Sequence, residues 1–290
     1  MPRSVLAILK IALLAYLTVA SVAAAVCQID SDTSPKIVVQ RDATDFLQLG
    51  TPNDVVARGG QPSFPPTADQ AHHGLISRSL KRGLRDQKQL YLAPFKRSNL
   101  KWDVLFVSGT AALLATDRQF SRALPTSHLD ASRNLSNVCL DSTSAALIGL
   151  WAYGIKTKNR HAKETGELEL ETLANTFLVY TPMQFAAGRE RPEEGTGNGR
   201  FWIHGGFNTS FPAGHPMFTW TMASVVAHEY PRPWVKLLAY GAATSVSAGR
   251  FLGREHFASD IFVGSLLGYW VGAHIFHTRC EPGLSEACRR

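Results

Sequence analysis

From about residue 80 to residue 279 the chain consists of long apolar stretches separated by short polar breaks. Apolar residues recur at helical spacing there, and no alternation of polar and apolar residues persists long enough to predict a strand. Polar residues 117–137 are expected to form a connection. The predicted fold is all-α, an amphipathic surface helix and a bundle of about six helices. The predicted helices lie at about residues 80–92, 103–116, 143–153, 164–188, 215–229, 233–249 and 256–277.

The apolar stretches are short for membrane spans. Runs such as Ile261–Phe276 reach about 16 residues, whereas a spanning helix needs about 20. Helices at the centre of a bundle can be apolar on nearly every side without contacting lipid. The pattern therefore favours a soluble or peripheral domain over one with several membrane spans.

The amino terminus has the pattern of a signal peptide over residues 1–25. Arg3 supplies a positive charge, residues 11–19 an apolar segment, and Ala23–Ala25 a small-residue cleavage site. Lys10 interrupts the apolar run and so argues against a stable spanning helix, although an uncleaved anchor stays open as the alternative. We therefore expect an exported protein, periplasmic or peripheral on the outer side of the cytoplasmic membrane.

Composition divides the remainder of the chain. Residues 26–76 are rich in Asp, Pro, Gly and Ser with little periodicity, which is typical of an extended or partly disordered lead segment. Residues 77–279 form the predicted helical domain, and residues 280–290 form a polar carboxy-terminal tail.

Cysteine and histidine spacing bears on disulfides and metals. The chain has four cysteines, and an even number in an exported protein suggests two disulfides. Cys280 and Cys288 lie close together in the tail and form the easiest pair, which leaves Cys27 for Cys139. No pair of Cys or His residues has close ligand spacing, so no metal site is expected.

The formal net charge of +7 favours anionic partners such as a phosphate ester or a membrane surface. The chain lacks the mixture of aromatic and basic residues typical of a nucleic-acid-binding module, so nucleic acid is not an expected partner. Three polar clusters set into the apolar sequence concentrate His and Arg. They are residues 184–192 (QFAAGRERP), 212–215 (PAGH) and 250–260 (RFLGREHFASD).

Helix lengths predict that these three clusters meet. The helix 215–229 runs about 22 Å outward and the helix 233–249 returns about 25 Å, at 1.5 Å per residue. The turn between them is short, so Arg250 should lie near His215. The glycine-rich loop 189–211 brings the first cluster to the same end of the bundle.

The two histidines suit acid–base and nucleophilic chemistry. His256 and Asp260 are four residues apart, so on one helix the carboxylate would hold the imidazole Nδ1–H and leave Nε2 free to attack. His215, at the opposing helix start, would be the general acid that protonates a leaving oxygen.

The remaining groups suit an anion. Arg191 and Arg250 carry permanent charges that can bind phosphate oxygens in a bidentate manner, and the helix start at Ala213 and Gly214 aims backbone N–H groups at them. Separately, these residues have ordinary structural interpretations as surface charges, an ion pair and a helix start. Their joint occurrence in a converging order favours a phosphate site.

The clusters resemble the motifs of the type 2 phosphatidic acid phosphatase (PAP2) and vanadium haloperoxidase superfamily. Those motifs are Lys-x6-Arg-Pro, Pro-Ser-Gly-His and Ser-Arg-x5-His-x3-Asp, and the third is matched most specifically. The resemblance implies an acid phosphatase/vanadium haloperoxidase-like helical fold and a phosphatase without metal or other cofactor. It also implies these roles: His256 as the nucleophile that forms a phosphohistidine, Asp260 as its orienting carboxylate, His215 as the acid and base, and Arg191, Arg250 and Gly214 as phosphate-binding residues.

Three positions depart from the motifs. Gln184 stands in place of Lys, Ala213 in place of Ser, and Gly249 in place of Ser. Gln184 can still bond a phosphate oxygen, whereas Ala213 lacks the hydroxyl donor; both positions stay in the predicted phosphate site. Losing one preorganised donor costs about 2.7–4 kcal/mol of transition-state stabilisation. We therefore expect a weakened or specialised enzyme.

Three functions are consistent with this sequence. The first is an exported, metal-independent phosphatase that hydrolyses a phosphomonoester or a lipid phosphate or diphosphate through a phosphohistidine. The second is a noncatalytic phosphate-binding or scaffold protein with a degenerate site. The third is a vanadate-dependent haloperoxidase, which the missing Lys disfavours because a highly charged anion would bind less well.

Overall fold

The structure is a computed structural model and describes residues 82–285 and 287–289. The predicted signal peptide, the predicted lead segment and Cys27 lie outside the described residues. Within the described part the chain is helical, without strands, so the prediction of an all-α fold is confirmed.

Seven helices follow one another along the described chain. Short 3-10 turns at Ala93–Phe95 and Arg97–Asn99 join the first two helices, and a third lies at Ala287–Arg289. The helices are α1 (82–92), α2 (Leu100–Ala123), α3 (Leu129–Thr157), α4 (Arg160–Ala187), α5 (Gly214–Glu229), α6 (Pro233–Leu252) and α7 (Ala258–Arg279).

Helices α2 and α3 extend through most of the segment predicted as a polar connection. That prediction is wrong because the polar residues of the segment lie inside helices, where neighbouring elements satisfy them. Asp117 is buried on α2 and accepts hydrogen bonds from Arg189 and Ser259. Ser136 is buried on α3 and donates to the carbonyl of Val246 at 3.1 Å. Polar character here marks contacts between helices rather than a loop.

Helix α5 is the centre of the bundle and is buried along most of its length. It packs in parallel against α7, with the two backbones almost in contact at glycines. A Cβ on Gly264 would lie 2.5 Å from the carbonyl oxygen of Ala213, and one on Gly268 would lie 2.1 Å from that of Met217. This close packing sets the first turns of α5 and α7 side by side.

Helix α6 returns antiparallel to α5, as the helix lengths predicted. Pro233 is its first residue, where the missing N–H of proline is tolerated. Trp220 on α5 donates to Ser247 Oγ on α6 at 3.1 Å. The far end of α6 therefore brings Arg250 back to the start of α5.

Several helices carry large apolar side chains on their outer faces, contrary to the expectation that the apolar stretches would be buried. On α3 only 17% of the most apolar window is buried, and α3 is the one described helix long and apolar enough to cross a membrane by length and composition. The apolar character of α2 and α3 therefore does not come from core packing alone. Exposed residues on α2 include Leu100, Trp102, Val104, Leu105 and Val107.

The cysteines follow the local part of the sequence prediction. Cys280 and Cys288 are joined by a disulfide that closes the tail onto the end of α7. Cys139 is buried on α3 and is a free cysteine, so the proposed bond to Cys27 has no support among the described residues. A buried thiol of this kind packs as a small apolar side chain.

Candidate phosphate site

Arg250 and His215 meet at the shared end of α5 and α6. Arg250 Nη2 bonds His215 Nε2 directly, and the same nitrogen donates to Asn137 Oδ1 on α3 at 2.8 Å. Burial, followed by the positive charges of Arg250 and Arg191, lowers the pKa of His215 to about 4. His215 is therefore neutral at physiological pH and accepts from Arg250.

His256 lies in the turn before α7 and is only 4% exposed. Its Nδ1 lies 2.7 Å from the carbonyl oxygen of Ser210. A carbonyl can only accept, so Nδ1 carries the proton and Nε2 keeps its lone pair. Burial, together with the charges of Arg191 and Arg250, lowers the pKa of His256 well below its usual range. The imidazole is thus held neutral in the tautomer that a nucleophile needs.

Asp260 does not bond His256, and the predicted direct contact between them is wrong. The reason is that α7 begins at Ala258, so His256 precedes the helix and does not share a helical face with Asp260. Asp260 accepts instead from the Ser210 hydroxyl at 2.6 Å and from the Phe257 backbone N–H at 2.8 Å. Its effect on His256 is relayed through Ser210, which bonds the carboxylate with its hydroxyl and the imidazole with its carbonyl.

Burial raises the pKa of Asp260 to about 6, although Arg189 and the hydroxyl of Ser210 oppose the shift. The carboxylate is therefore ionised at neutral pH and loses its charge in mild acid. It also caps the start of α7 through Phe257.

Arg191 and Arg250 each retain an unused donor. Arg191 donates to Glu255 Oε2 at 2.7 Å and to Asn208 Oδ1 at 2.6 Å. The Nε atoms of Arg191 and Arg250 are buried and have no hydrogen-bond partner among the described residues. Buried donors are seldom left unpaired, and an anion between the two guanidinium groups would satisfy both of them.

Gly214 is the first residue of α5, where backbone N–H groups lack partners within the helix. A Cβ at this position would lie 2.8 Å from Tyr180 Oη, so the packing of Tyr180 requires a glycine there. Gly214 therefore lies at the helix start next to His215, and its binding of phosphate stays a prediction.

A second arginine-centred cluster lies behind this site. Arg189 is 2% exposed and donates to Asp117, Asp260 and Ser259, and to the carbonyl oxygen of Gly199. Its guanidinium group also lies over the ring of Phe257, 4.4 Å from the centroid. All guanidinium nitrogens of Arg189 donate to groups within the protein, so Arg189 does not supply the phosphate site with the charge that Gln184 lacks.

Residues 170–281 match the model of the PAP2 superfamily. The match covers 112 of the 290 residues, and over this region the chain is similar to the PAP2 superfamily. The matched region contains all three polar clusters and each residue described above for the site except Asn137 and Asp117.

One curated relative is a lipid A 1-phosphatase from Porphyromonas gingivalis, 28% identical over 102 residues. The alignment covers 32% of this chain and 20% of the relative, so the matched segment spans about a fifth of the relative's length. No solved structure matches the chain.

The structure explains one departure from the PAP2 motifs and corrects two expectations drawn from them. A Cβ on Gly249 would lie 2.7 Å from the carbonyl oxygen of Ser132 and 2.9 Å from Ser136 Cβ. Helices α3 and α6 approach too closely there for the serine of the motif.

Gln184 is fully buried and does not offer its amide to the phosphate site. Its Nε2 donates to the carbonyl oxygens of Pro212 at 2.9 Å and Thr209 at 3.3 Å, and its Oε1 accepts from the Thr209 N–H at 2.8 Å. The predicted phosphate contact is therefore not made; Gln184 instead braces the loop that carries Ser210.

Ala213 is also placed differently from the prediction. Its backbone N–H donates to the carbonyl oxygen of Asp260 at 3.0 Å, and its methyl group is buried and cannot donate. Of the two residues at this helix start, only Gly214 keeps its predicted role as a backbone donor to an anion.

Several residues of the site escaped sequence reasoning. Ser210 and Asn208 lie in the loop that was predicted only to bring the first cluster to the site, and Asn137 and Asp117 lie in the segment predicted as a connection. None of them is part of a motif. Glu255 stands inside the third cluster, and an acidic residue between Arg254 and His256 was the signal that could have found it.

Proposed function

We propose that the protein is a phosphatase of the PAP2 type, which hydrolyses a phosphate ester through a phosphohistidine on His256. The observation that carries the proposal is that a neutral, buried His256 lies at the same end of the bundle as two arginines whose Nε–H groups have no partner within residues 82–285 and 287–289. A nucleophile close to hydrogen-bond donors that can bind an anion is the arrangement needed for attack on a phosphate ester.

In the first step, Nε2 of His256 attacks the phosphorus atom. The N–P bond forms, the bond from phosphorus to the leaving oxygen breaks, and His215 donates a proton to that oxygen. In the second step, His215 removes a proton from water, the water oxygen attacks phosphorus, and the N–P bond breaks. Arg191, Arg250 and the Gly214 N–H would stabilise the charge on the nonbridging oxygens.

His215 must gain a proton before the first step, although its pKa in the free site is about 4. A bound phosphate supplies nearby negative charge, which raises the pKa of an imidazole. It would also attract Arg250, whose Nη2 now bonds His215 Nε2. Substrate binding and the charging of the acid are therefore coupled in this mechanism.

The proposed substrates are lipid phosphates or diphosphates, with soluble phosphomonoesters as the alternative. The curated relative is named lipid A 1-phosphatase, and this name supports a lipid phosphate as the substrate. Apolar residues around the loop beside the site support it too, because Trp202, Ile203 and Phe207 are exposed. We propose that the protein is exported and acts at a membrane surface, to which the exposed apolar faces of α2 and α3 would be suited.

The test is phosphate release from a panel of soluble and lipid phosphates, measured with EDTA present. His256→Ala should reduce release by ~10³-fold or more, because the residue that forms the intermediate is gone. The matched control is His228→Ala: His228 is also on a helix of the core, with Nδ1 2.6 Å from the Ser224 carbonyl, but lies at the far end of α5. Equal release by wild type and His256→Ala would refute the mechanism.

Labelling of the protein, followed by a quench in alkaline detergent, gives a second readout. Wild-type protein mixed with a labelled substrate should carry an acid-labile, alkali-stable phosphate, and His256→Ala should carry none. An EDTA-sensitive activity would contradict the metal-independent mechanism.

A noncatalytic phosphate-binding protein is the second candidate. It is favoured by the engagement of Gln184 in the loop and of the Ala213 N–H by Asp260, because two donors expected from the motifs do not reach the site. It predicts that wild type binds phosphate yet releases none from any member of the panel.

A further inference from the structure

The two arginines proposed to bind phosphate already share an anionic partner. Glu255 Oε2 lies 2.7 Å from Arg191 Nη1 and 3.9 Å from Arg250 Nη1. Its other oxygen, Oε1, lies 2.8 Å from Arg133 Nε. The Glu255 side chain is 23% exposed, so it lies at the border between the site and solvent.

The charges beside the proposed phosphate position are few. Arg191 and Arg250 are positive and Glu255 is negative, whereas His215 and His256 are held neutral. Gln184 adds no charge where the motif has Lys. The site therefore has a net charge near +1 rather than the larger positive charge that its arginines suggest.

Arg133 anchors the carboxylate from the other side. It bonds the carbonyl oxygen of Gly253 at 2.9 Å and pairs with Glu193, so its own charge is already neutralised. Glu255 is thus held by Arg133 through one oxygen while the other is directed at Arg191. The carboxylate has a second attachment and can release Arg191 without becoming unpaired.

We propose that Glu255 determines specificity for charge, by competing with the phosphoryl group of the substrate for Arg191 and Arg250. The inference rests on the proposed function, because it concerns the same phosphate site. A phosphomonoester carries about −1.5 to −2 charges near pH 7, and a carboxylate a few ångströms away repels a dianion about twice as strongly as a monoanion. Glu255 therefore weakens the binding of a phosphoryl group with two negative charges more than the binding of one with a single charge.

A purely structural role makes a different prediction. If Glu255 only positions the arginines, then Glu255→Gln, which keeps an acceptor oxygen, should leave anion binding unchanged or weaken it. Competition requires the opposite sign, because the substitution removes a negative charge from the site.

The experiment measures Kd by calorimetry for two probes at pH 8: inorganic phosphate, which is mostly a dianion there, and dimethyl phosphate, a monoanion. Glu255→Gln should tighten phosphate binding roughly tenfold and dimethyl phosphate binding roughly threefold, as expected for one unit charge at this range. The matched control is Glu193→Gln, which also neutralises a partner of Arg133 but contacts neither Arg191 nor Arg250. It should leave both Kd values within about twofold.

Unchanged or weaker phosphate binding by Glu255→Gln would overturn the proposal, as would an equal gain for both probes. If that variant does not fold, Arg133→Gln supplies the test, because loss of the anchor leaves Glu255 entirely to Arg191. That variant should weaken phosphate binding several-fold, and unchanged or tighter binding would again overturn the proposal. Dependence of phosphate release on His256 tests the proposed function separately and does not rely on either Kd.

Discussion

Arg189 and Arg191 are two residues apart in one loop and have opposite roles. Every guanidinium nitrogen of Arg189 is bonded inside the protein, and the group lies between the rings of Phe201 and Phe257. Arg191 is partly exposed, and its buried Nε has no partner in the part of the chain that the structure describes. Arg189, whose donors are all used, stabilises the fold, whereas Arg191 keeps a donor with which it could bind an anion.

The loop geometry produces this difference. Residues 188–191 belong to neither a helix nor a strand, so no regular periodicity places Arg189 and Arg191 on a common side. Arg189 enters the space between α2 and α7, where it bonds Asp117 and Asp260. Arg191 points to the end of the bundle, where Glu255 and the histidines lie.

The largest expected effect is on stability, at Arg189. Arg189→Gln leaves Asp117 and Asp260 buried without their cation, and breaking a buried ion pair in this way costs about 3–5 kcal/mol. Urea unfolding followed by circular dichroism measures it. Arg191→Gln is the comparison and should lower the free energy of unfolding by about 1 kcal/mol or less, because its ion pair is partly exposed. Similar losses in the two variants would contradict the division of roles.

The next effect is on catalysis, at Arg191. Arg191→Gln should lower kcat/KM for phosphate release by ~10²–10³, because one preorganised donor to the charged oxygens is lost. The control is Arg200→Gln, in the same loop, whose side chain is exposed and pairs with Glu190 at 3.8 Å. A drop in Arg200→Gln as large as that in Arg191→Gln would show that the loop, and not the Arg191 donor, controls the rate.

Restoring the lysine of the motif should harm the protein. Gln184→Lys keeps donors for the carbonyls of Thr209 and Pro212 but removes the acceptor of the Thr209 N–H and buries a charge. A loss of about 2–3 kcal/mol in the free energy of unfolding is expected, without a gain in phosphate release. Gln184→Glu also buries a charge but keeps an acceptor for the Thr209 N–H, so it separates the effect of the buried charge from that of the lost acceptor. Higher activity at unchanged stability in Gln184→Lys would mean that the lysine reaches the anion.

The smallest effect is the dependence of stability on pH through His215. Its pKa is about 4 in the folded protein against 6.5 ordinarily, so between these values the unfolded chain binds a proton that the folded protein does not. The free energy of unfolding should therefore fall as the pH drops from about 6.5 to about 4.

His215→Gln removes this contribution. Urea titrations at pH 7.5 and 4.5 should show wild type losing about 1–2 kcal/mol more than the variant, after allowance for solvent screening. Equal losses would mean that folding does not lower the pKa of His215. The raised pKa of Asp260 acts in the opposite direction but is common to both proteins, so it cancels in the difference.

Much of the site was predictable from particular residues. Arg250 lies against His215 because a turn at residues 230–232 makes two helices of similar length antiparallel, and both facts are visible in the sequence. The orientation of His256 was not predictable. The hydrogen bond of His256 Nδ1 depends on where α7 begins. The helix begins two residues later than predicted, and the acceptor is the carbonyl oxygen of Ser210 instead of Asp260.

The sequence by itself determined the all-α class, the order of the three polar clusters and the choice of His256, Arg191 and Arg250 as candidates, because helical periodicity and motif spacing are local properties. Tertiary structure alone decided which polar groups are already satisfied. Asp117 and Ser259 are 142 residues apart yet bond each other around Arg189, and Glu255 faces arginines from three separate segments. Hydrogen-bond satisfaction and local charge depend on such distant neighbours, and those two properties separate the arginine of the fold from the arginines of the site.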